Sequence, residues 1–550
     1  MNKKLFHYLS IIFSLFYFTV SSAQDLTLKI SSFNKTELSI LDKLDYVKSH
    51  KDISSVHIEI EKISNFLKNQ GYFTNRVLKT TQENKNYVVY FSLNMKIENV
   101  ILKINSESEI HFEKSKIKKG TISIPIKELQ STLSNISKKL DEKGRSFSKI
   151  QLKNIVIRNN SLYTDLEITQ SKKRLINKVI LKGYKNFPKS YLKNYFNLTI
   201  NTVFNQQKIN KLSKDSKNLQ FATETKRPEV LFTKDSTLVY MYLKKAQNNS
   251  FDGLVNLSTK ENGGVLFNGH IDLKLNNTLN KGEKLELLWN SIDEERQEFR
   301  ISTEIPYIFN SAFTPEISFL LYKQDSSFIN SKFITKIKYN INNQLKIGIN
   351  YNSESSESLS SKNDINGYHS RFIGFHLFYS KQQNDLFQNN KFYLEINPFF
   401  GNRKTKNTSS NQFKIKTITS YIWDISNRAS LYIKNEIGFL SSDTYINNEL
   451  FRIGGANSIR GFNEQSIFTK NYTFFNIEYR YLTSKKSYFY TITDFGKIKE
   501  KNNNLLSLGL GYLFRTNNSQ ININTSLEKN PQKSINLNAT KLIVSWKNIF

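Results

Sequence analysis

The sequence predicts an all-β, C-terminal, 16-stranded antiparallel transmembrane β-barrel preceded by tandem α+β domains, and three observations predict it. From about residue 250 onward, apolar and polar residues alternate in about sixteen successive runs, the period of strands with one apolar face. Before that point helical and extended patterns interchange, with a spacing of about 75 residues. A long inter-strand segment, roughly residues 441–471, is built around Gly454, Gly455, Arg460, Gly461 and Phe462. A connection of this length is uncommon unless it is functional or disordered, and glycines bracketing one arginine and one aromatic argue for a folded hairpin.

The chain begins with Lys3 and Lys4, an apolar stretch over about residues 5–20, and Ser21-Ser-Ala23. That is the pattern of a cleaved secretory signal over residues 1–23, leaving Gln24 first. No cysteine follows, so a chain entering an oxidising envelope must rely on sheets and cores rather than disulfides. No later segment reaches the roughly eighteen consecutive apolar residues of a transmembrane helix. A hydrophobic content of 38% still suits a membrane barrel, because only alternate strand residues face lipid. The 28 Tyr and 41 Phe are the stock from which interfacial girdles are made, and the 7 Pro leave long strands unbroken. The net charge of +32 suits anionic headgroups or acidic clients. It is not read as nucleic-acid binding, since no basic helix with interleaved aromatics is present.

Residues 24–95, 96–170 and 171–248 read as three α+β units. The first has helical spacing over residues 55–73, ending near Gly71, and a strand over 87–93. The second has a strand at 97–104, a helix at 126–143 before Gly144, and strands at 149–158 and 161–168. The third has a strand at 175–181, helices near 190–196 and 206–219, and strands at 229–232 and 237–243.

Residues 249–550 read as the barrel. Its clearest strand sets Leu506, Leu508, Leu510, Tyr512 and Phe514 opposite Ser507, Gly509 and Gly511. The long segment falls between the eleventh and twelfth runs, and an even strand number permits closure. The Ser/Glu/Asn-rich residues 353–366 read as a mobile extracellular loop. In residues 472–482, Phe475, Ile477, Tyr479 and Tyr481 share the lipid face, which turns Asn476, Glu478 and Arg480 into the lumen. A half-buried arginine such as Arg460 needs a carboxylate, and Glu478 is placed to supply one. For Asp494 the alternation chooses no face, because Ile492 shares its parity and Phe495 does not.

Gly454-Gly-x-x-Ser-Ile-Arg-Gly-Phe462 resembles the Arg-Gly-Phe/Tyr signature of the outer-membrane assembly-factor family of BamA- and TamA-like proteins. Asn476-Ile-Glu-Tyr-Arg-Tyr481 and Thr493-Asp-Phe-Gly496 resemble the segments that come after it in that family. The resemblance implies periplasmic POTRA repeats, a surface-antigen-type barrel, and a loop folded into the lumen whose arginine pairs with acidic wall residues, here Glu478 and Asp494. The last strand, with Leu542, Val544, Trp546 and the terminal Phe550, resembles the C-terminal signal of bacterial barrels, from which Asn548 departs.

The expected function is that of an outer-membrane factor that inserts or exports envelope proteins, with its repeats in the periplasm. Its partners would be outer-membrane lipid, unfolded envelope-protein clients and accessory periplasmic or inner-membrane subunits. The alternatives are a two-partner secretion translocase with one dedicated client and, behind it, a passive porin. No catalytic, cofactor or metal motif accompanies the dispersed histidines, so no enzymatic activity and no cofactor are expected.

Overall fold

The computed structural model describes residues 26–105, 112, 117–259, 265–291, 296–359, 366–383, 385, 387, 389–498, 503–529 and 540–550. The signal expected over residues 1–23 lies outside these. The chain divides into two units, one running to Arg174 with Val203–Gln206, the other made of Leu175–Thr202 and Gln207–Phe550.

The first unit holds two α+β repeats. One comprises β1 (Leu26–Ser31), α1 (Lys35–Leu41), β2 (Ser49–His50), α2 (Ile53–Asn69), β3 (Arg76–Glu83) and β4 (Asn86–Ser92). The next comprises β5 (Asn99–Ile104), β6 (Thr121–Pro125), α3 (Ile126–Glu142), β7 (Lys149–Arg158) and β8 (Ser161–Thr169). Their sheets run β2-β1-β4-β3 and β6-β5-β8-β7, each with a central parallel pair and an antiparallel outer hairpin. Helix α2 starts where the Asp52 carboxylate accepts from the Ser55 amide at 2.7 Å, an N-cap that meets an otherwise orphaned donor. Its buried Val56, Ile60, Ile63 and Leu67 recur at helical spacing and pack on Leu28, Val89 and Phe91. The helix stops at Gly71, whose φ of +104° only glycine takes easily. The Gly71 carbonyl accepts from the Ile97 amide at 2.9 Å, so the second repeat starts on the helix end of the first. After α3 the pattern recurs, with the Arg174 amide donating to the Gly144 carbonyl at 2.9 Å.

The second unit opens with a third repeat, of which only Val203–Gln206 fall in the first unit: β9 (Leu175–Ile176), β10 (Lys178–Lys182), α4 (Lys189–Asn194), β11 (Thr202–Val203), α5 (Gln206–Lys217), β12 (Ala222–Phe232) and β13 (Thr237–Lys245). Its sheet, β10-β13-β12, keeps the same parallel pair and outer hairpin. The barrel begins with β14 (Ser250–Thr259), β15 (Val265–Asn276), β16 (Lys284–Ser291) and β17 (Arg296–Glu304). It continues through β18 (Phe313–Gln324), β19 (Phe328–Asn340), β20 (Leu345–Ser358) and β21 (Tyr368–Gln382). Then come β22 (Asn390–Thr405), β23 (Ser409–Asp424) and β24 (Ala429–Ser442). The long loop carries a small hairpin, β25 (Phe451–Ile453) with β26 (Ile467–Thr469). The wall resumes with β27 (Asn471–Ser484), β28 (Ser487–Ile498), β29 (Asn503–Arg515), β30 (Ser519–Lys529) and β31 (Lys541–Ile549). Sixteen antiparallel strands, eleven before the loop and five after it, close where β31 meets β14.

Outward faces carry Ile349, Ile373, Phe375, Trp423 and Leu510, all exposed as lipid-facing side chains are. The inner wall is ionic and paired: Lys338 Nζ lies 2.6 Å from Glu304 and 2.7 Å from Glu316. The tract at 353–366 departs from the loop expected there. Strand β20 continues to Ser358, with Asn352, Glu354 and Ser356 buried on the lumen side and Glu354 2.5 Å from Lys332. Both faces are polar over this stretch, so it carries no apolar alternation by which a strand is recognised; residues 360–365 lie outside the described ones.

The third repeat is seated on the barrel by tyrosines. Tyr191 is buried, its ring edge-on to Tyr307 at 4.9 Å and its hydroxyl 3.4 Å from the Gly282 carbonyl. A Cβ at Gly282 would stand 2.2 Å from the Tyr191 ring, so only glycine admits it. Asn277 Nδ2 donates to the Tyr184 hydroxyl at 2.6 Å. Tyr191→Ala removes the aromatic plug at a cost of roughly 3–5 kcal/mol. Limited proteolysis in detergent should then cut between residues 175 and 249 while the barrel stays resistant. An unchanged cleavage pattern would place the joint elsewhere.

Candidate functional site: the lumen loop and the barrel seam

The loop between β24 and β27 first organises itself. The Gly454 amide donates to Ser458 Oγ at 2.6 Å, Gly455 to the Ile459 carbonyl at 3.1 Å, and Gln465 to the Gly454 carbonyl at 3.1 Å. These bonds make a tight tip that projects Ile459 and Arg460 from one side. Ile459 is fully buried with Phe474, Tyr472, Ile498 and Leu505, and Phe462 packs against the same cluster. Glycine stands on both sides where the tip arrives, Gly496 in the wall and Gly461 in the loop. A Cβ at Gly496 would lie 2.4 Å from Ile459 Cδ1, and one at Gly461 2.8 Å from Ser507 Oγ.

Arg460 is then fully engaged. Its Nε donates to Asp494 Oδ2 at 2.9 Å and its Nη2 to Oδ1 at 2.6 Å, a bidentate fork. Its own backbone amide also donates to Asp494 Oδ2, at 2.8 Å. Nη1 donates to Glu478 Oε1 at 2.5 Å. The other oxygen of Glu478 accepts from Arg480 Nε at 2.8 Å, and the Arg480 guanidinium lies 4.1 Å over the Tyr432 ring. Two arginines and two carboxylates thus form one neutral lattice. Neutrality matters because Asp494 is 0% exposed, and a lone charge there would be prohibitively desolvated.

All the residues singled out in the loop and its walls meet at this point, though not in the expected shares. The sequence offered Glu478 as the arginine's partner and left the face of Asp494 open; the fork goes to Asp494. Alternation failed on β28 because the lumen there is filled rather than watery. Tyr488, Tyr490 and Ile492 all point inward and are buried with Leu513, so an apolar neighbour of the same parity does not mark the lipid side. Gly511 again makes the room, since a Cβ there would lie 2.2 Å from the Tyr490 ring.

A second anchorage was not legible in the sequence. Arg403 of β22, 1% exposed, donates to Glu449 of the loop at 2.5 Å and to Thr444 Oγ1 at 2.6 Å. Gln412 Nε2 donates to the other Glu449 oxygen at 2.8 Å. The Arg452 guanidinium stacks 3.6 Å over Tyr322 of β18, and Gln465 Nε2 donates to Glu298 of β17 at 2.5 Å. The loop therefore crosses the lumen and is held on facing walls. Arg403 sits in a cationic stretch, Asn402-Arg-Lys-Thr-Lys406, where nothing in the sequence distinguishes it.

The residues of the last strand lie at the seam. Leu542, Val544 and Trp546 face outward, Trp546 at 65% exposed. Phe550 comes just after the strand end and exchanges backbone bonds with Asn249 at 3.1 and 3.0 Å. Beyond this, β14 meets β31 only at Ser250 opposite Ile549 and Phe251 opposite Asn548. By contrast, β14 and β15 pair from Ser250 opposite Lys274 to Thr259 opposite Val265. Just past Phe462, Asn463 Oδ1 accepts from Lys541 Nζ, so the loop touches the last strand above the paired part of the seam.

No protein-family model and no curated protein matches this chain by sequence. Solved structures match it by fold. CdiB from Acinetobacter baumannii aligns with a TM-score of 0.52 at 14% identity, over 89% of this chain and 96% of that one. CdiB from Escherichia coli aligns with a TM-score of 0.52 at 12% identity, over 89% and 97%. BamA from Haemophilus ducreyi lacking POTRA domains 1–3 aligns at 0.47 and 12% identity, over 83% and 100%. At these identities the two CdiB likenesses are of fold.

Substitutions should separate the two carboxylates. Arg460→Ala strands a fully buried Asp494 and should cost roughly 3–5 kcal/mol. Arg460→Lys should also be impaired, since a point charge cannot make the fork. Asp494→Asn should be worse than Glu478→Gln, because Asp494 carries the fork and the backbone bond. The temperature at which the folded barrel loses its fast-migrating gel band reads the order; equal temperatures for all four would remove the lattice from the account.

Proposed function

We propose that this chain is an outer-membrane assembly or translocation factor, carrying unfolded envelope proteins into or across the membrane through a barrel it keeps internally braced. The observation that carries the reading is the seam. One strand pair of the wall, β14 with β31, is paired over only its periplasmic end, and the braced loop touches it. The unpaired stretches of β14 and β31 present backbone donors and acceptors at the hydrocarbon layer, where unmet groups cost several kcal/mol each. An incoming strand satisfies them by pairing.

In this reading the units at 24–95, 96–170 and 171–248 are POTRA-like and lie in the periplasm. The outer strands β3, β7 and β12 are sheet edges, and exposed Leu78, Ile155 and Leu231 lie along them. Such edges take extended clients by β-augmentation, which recognises backbone more than sequence. Lipid, clients and accessory subunits are the partners this implies. The second reading, a translocase for one dedicated client, is favoured by the cavity under the third repeat at the barrel mouth. A passive porin fits poorly with a lumen crossed by an anchored loop.

A crosslink decides between the routes. Extending the register of Ser250 with Ile549 sets Val255 opposite Val544. Cysteines there, in a chain with none of its own, join the seam if their Cα atoms come within roughly 7 Å. Oxidation should stop client insertion into liposomes and reduction should restore it. Full activity in a demonstrably crosslinked barrel would assign the route to the lumen instead.

A further inference from the structure

Within the second unit, the third repeat and the barrel mouth enclose a cavity of about 1260 Å³. It is larger than the roughly 300–1,000 Å³ of small-molecule sites. One side is α4, α5 and the chain after them; the other is the turn at 341–344 and the inner faces of β20–β22. Lys346, Phe378 and Tyr393 carry the lining into the lumen.

The chemistry of the lining is lopsided. Asn and Gln side chains predominate, five lysines line it, and Asp215 is the one carboxylate among the described lining residues. Lys346 leans on Glu304 at 3.6 Å, but Lys193, Lys211 and Lys214 meet no carboxylate within 4.0 Å among the described residues. Polar capacity is also left over. Asn248 Nδ2 has no hydrogen-bond partner, although its carbonyl is held by Asn276 at 2.8 Å, and Asp215 Oδ2, buried, has none either. An amide both donates and accepts, so a wall of amides matches a peptide backbone whatever its side chains. Five ammonium groups against one lining carboxylate add a preference for negative charge.

We propose that this cavity receives an extended polypeptide segment of net negative charge and passes it from the third repeat to the barrel mouth. The inference rests on the transport reading and names the class of client segment that reading leaves open. It requires no seam opening.

The test is binding to the full chain in neutral detergent micelles, read by fluorescence anisotropy. The probes are a labelled Asn/Ser-rich peptide carrying glutamates and its counterpart with lysines at the same places. The glutamate peptide should bind at least about tenfold more tightly, and less so as salt rises. Lys211→Gln with Lys214→Gln, both exposed on α5, should cancel that preference. In a Gln220→Cys variant, whose thiol is the sole one, the glutamate peptide should slow maleimide labelling. Equal affinity for the two peptides, or indifference to the lysine substitutions, would overturn the proposal. So would phosphatidylglycerol micelles protecting the introduced thiol as well as the peptide does, which would make this a lipid site. Binding is read without transport, so the two ideas fail separately. Charge-selective binding in a chain that moves no client rejects the transport reading and leaves the cavity; charge-blind binding in a chain that does rejects the cavity alone.

Discussion

A buried arginine must be neutralised, and that requirement ties the second half of this molecule together. Arg460 reaches a position closed to water, and the structure answers with Asp494 in a fork and Glu478 in a single bond, Glu478 being shared with Arg480. The lattice needs all four groups at once. Asp494 and Glu478 come from adjacent strands, and Arg460 arrives on a loop more than fifteen residues from either. The register of β27 with β28 is thereby specified by charge as well as by apolar pattern. The glycines at 461, 496 and 511 are the steric half of the same arrangement: they let a backbone and the side chains of Ile459 and Tyr490 occupy a barrel interior without forcing the wall apart.

Most of the architecture was legible because it is written in period. Alternation located the strands, their number and the place of the loop, and helical spacing located α2, α3 and α5. Two of the failures share one physical cause, that period reports a contrast between two environments. Where β20 rises with both faces polar, the contrast vanishes and a strand looks like a loop. Where β28 faces a filled lumen, apolar residues stand on the inner side, which is why alternation assigns Asp494 no face. Arg403 could not be found at all. Its partners, Thr444 and Glu449, lie some forty residues away in the loop, and a pairing of that range leaves no local trace.

The repeats illustrate another kind of legibility. In the sequence Gly71 and Gly144 announce only helix ends, yet each carbonyl also receives the first bond of the next segment. A helix stop and a repeat junction are the same residue, which is why the spacing recurs. The third repeat keeps a bond of this kind, from the Ala246 amide to the Phe221 carbonyl at 3.0 Å, and also docks through Tyr184 and Tyr191 on barrel turns. Its seat includes Tyr307 in left-handed backbone, φ +57°. Bulky residues hold such conformations only where surrounding contacts over-determine them, and for Tyr307 the Tyr191 ring is that contact.

The distribution of ionic bonds around the wall bears on where a barrel of this kind gives way. Strands β17 to β20 are cross-linked inside by Lys338 with Glu304 and Glu316, by Lys336 with Glu316, and by Lys332 with Glu354. Between β14 and β31 no ion pair forms among the described residues, and the backbone ladder stops after Phe251 opposite Asn548. Net backbone bonds contribute about 0.5–1.5 kcal/mol each, whereas breaking one partner out of a buried pair costs roughly 3–5 kcal/mol. Strain applied to the closed wall therefore concentrates at the seam. The braced loop sharpens the difference, because it ties the walls from β17 to β28 through the lumen, while among the described residues its one hydrogen bond to β31 is Asn463–Lys541. The wall can part at one place without losing the lattice that keeps the rest in register.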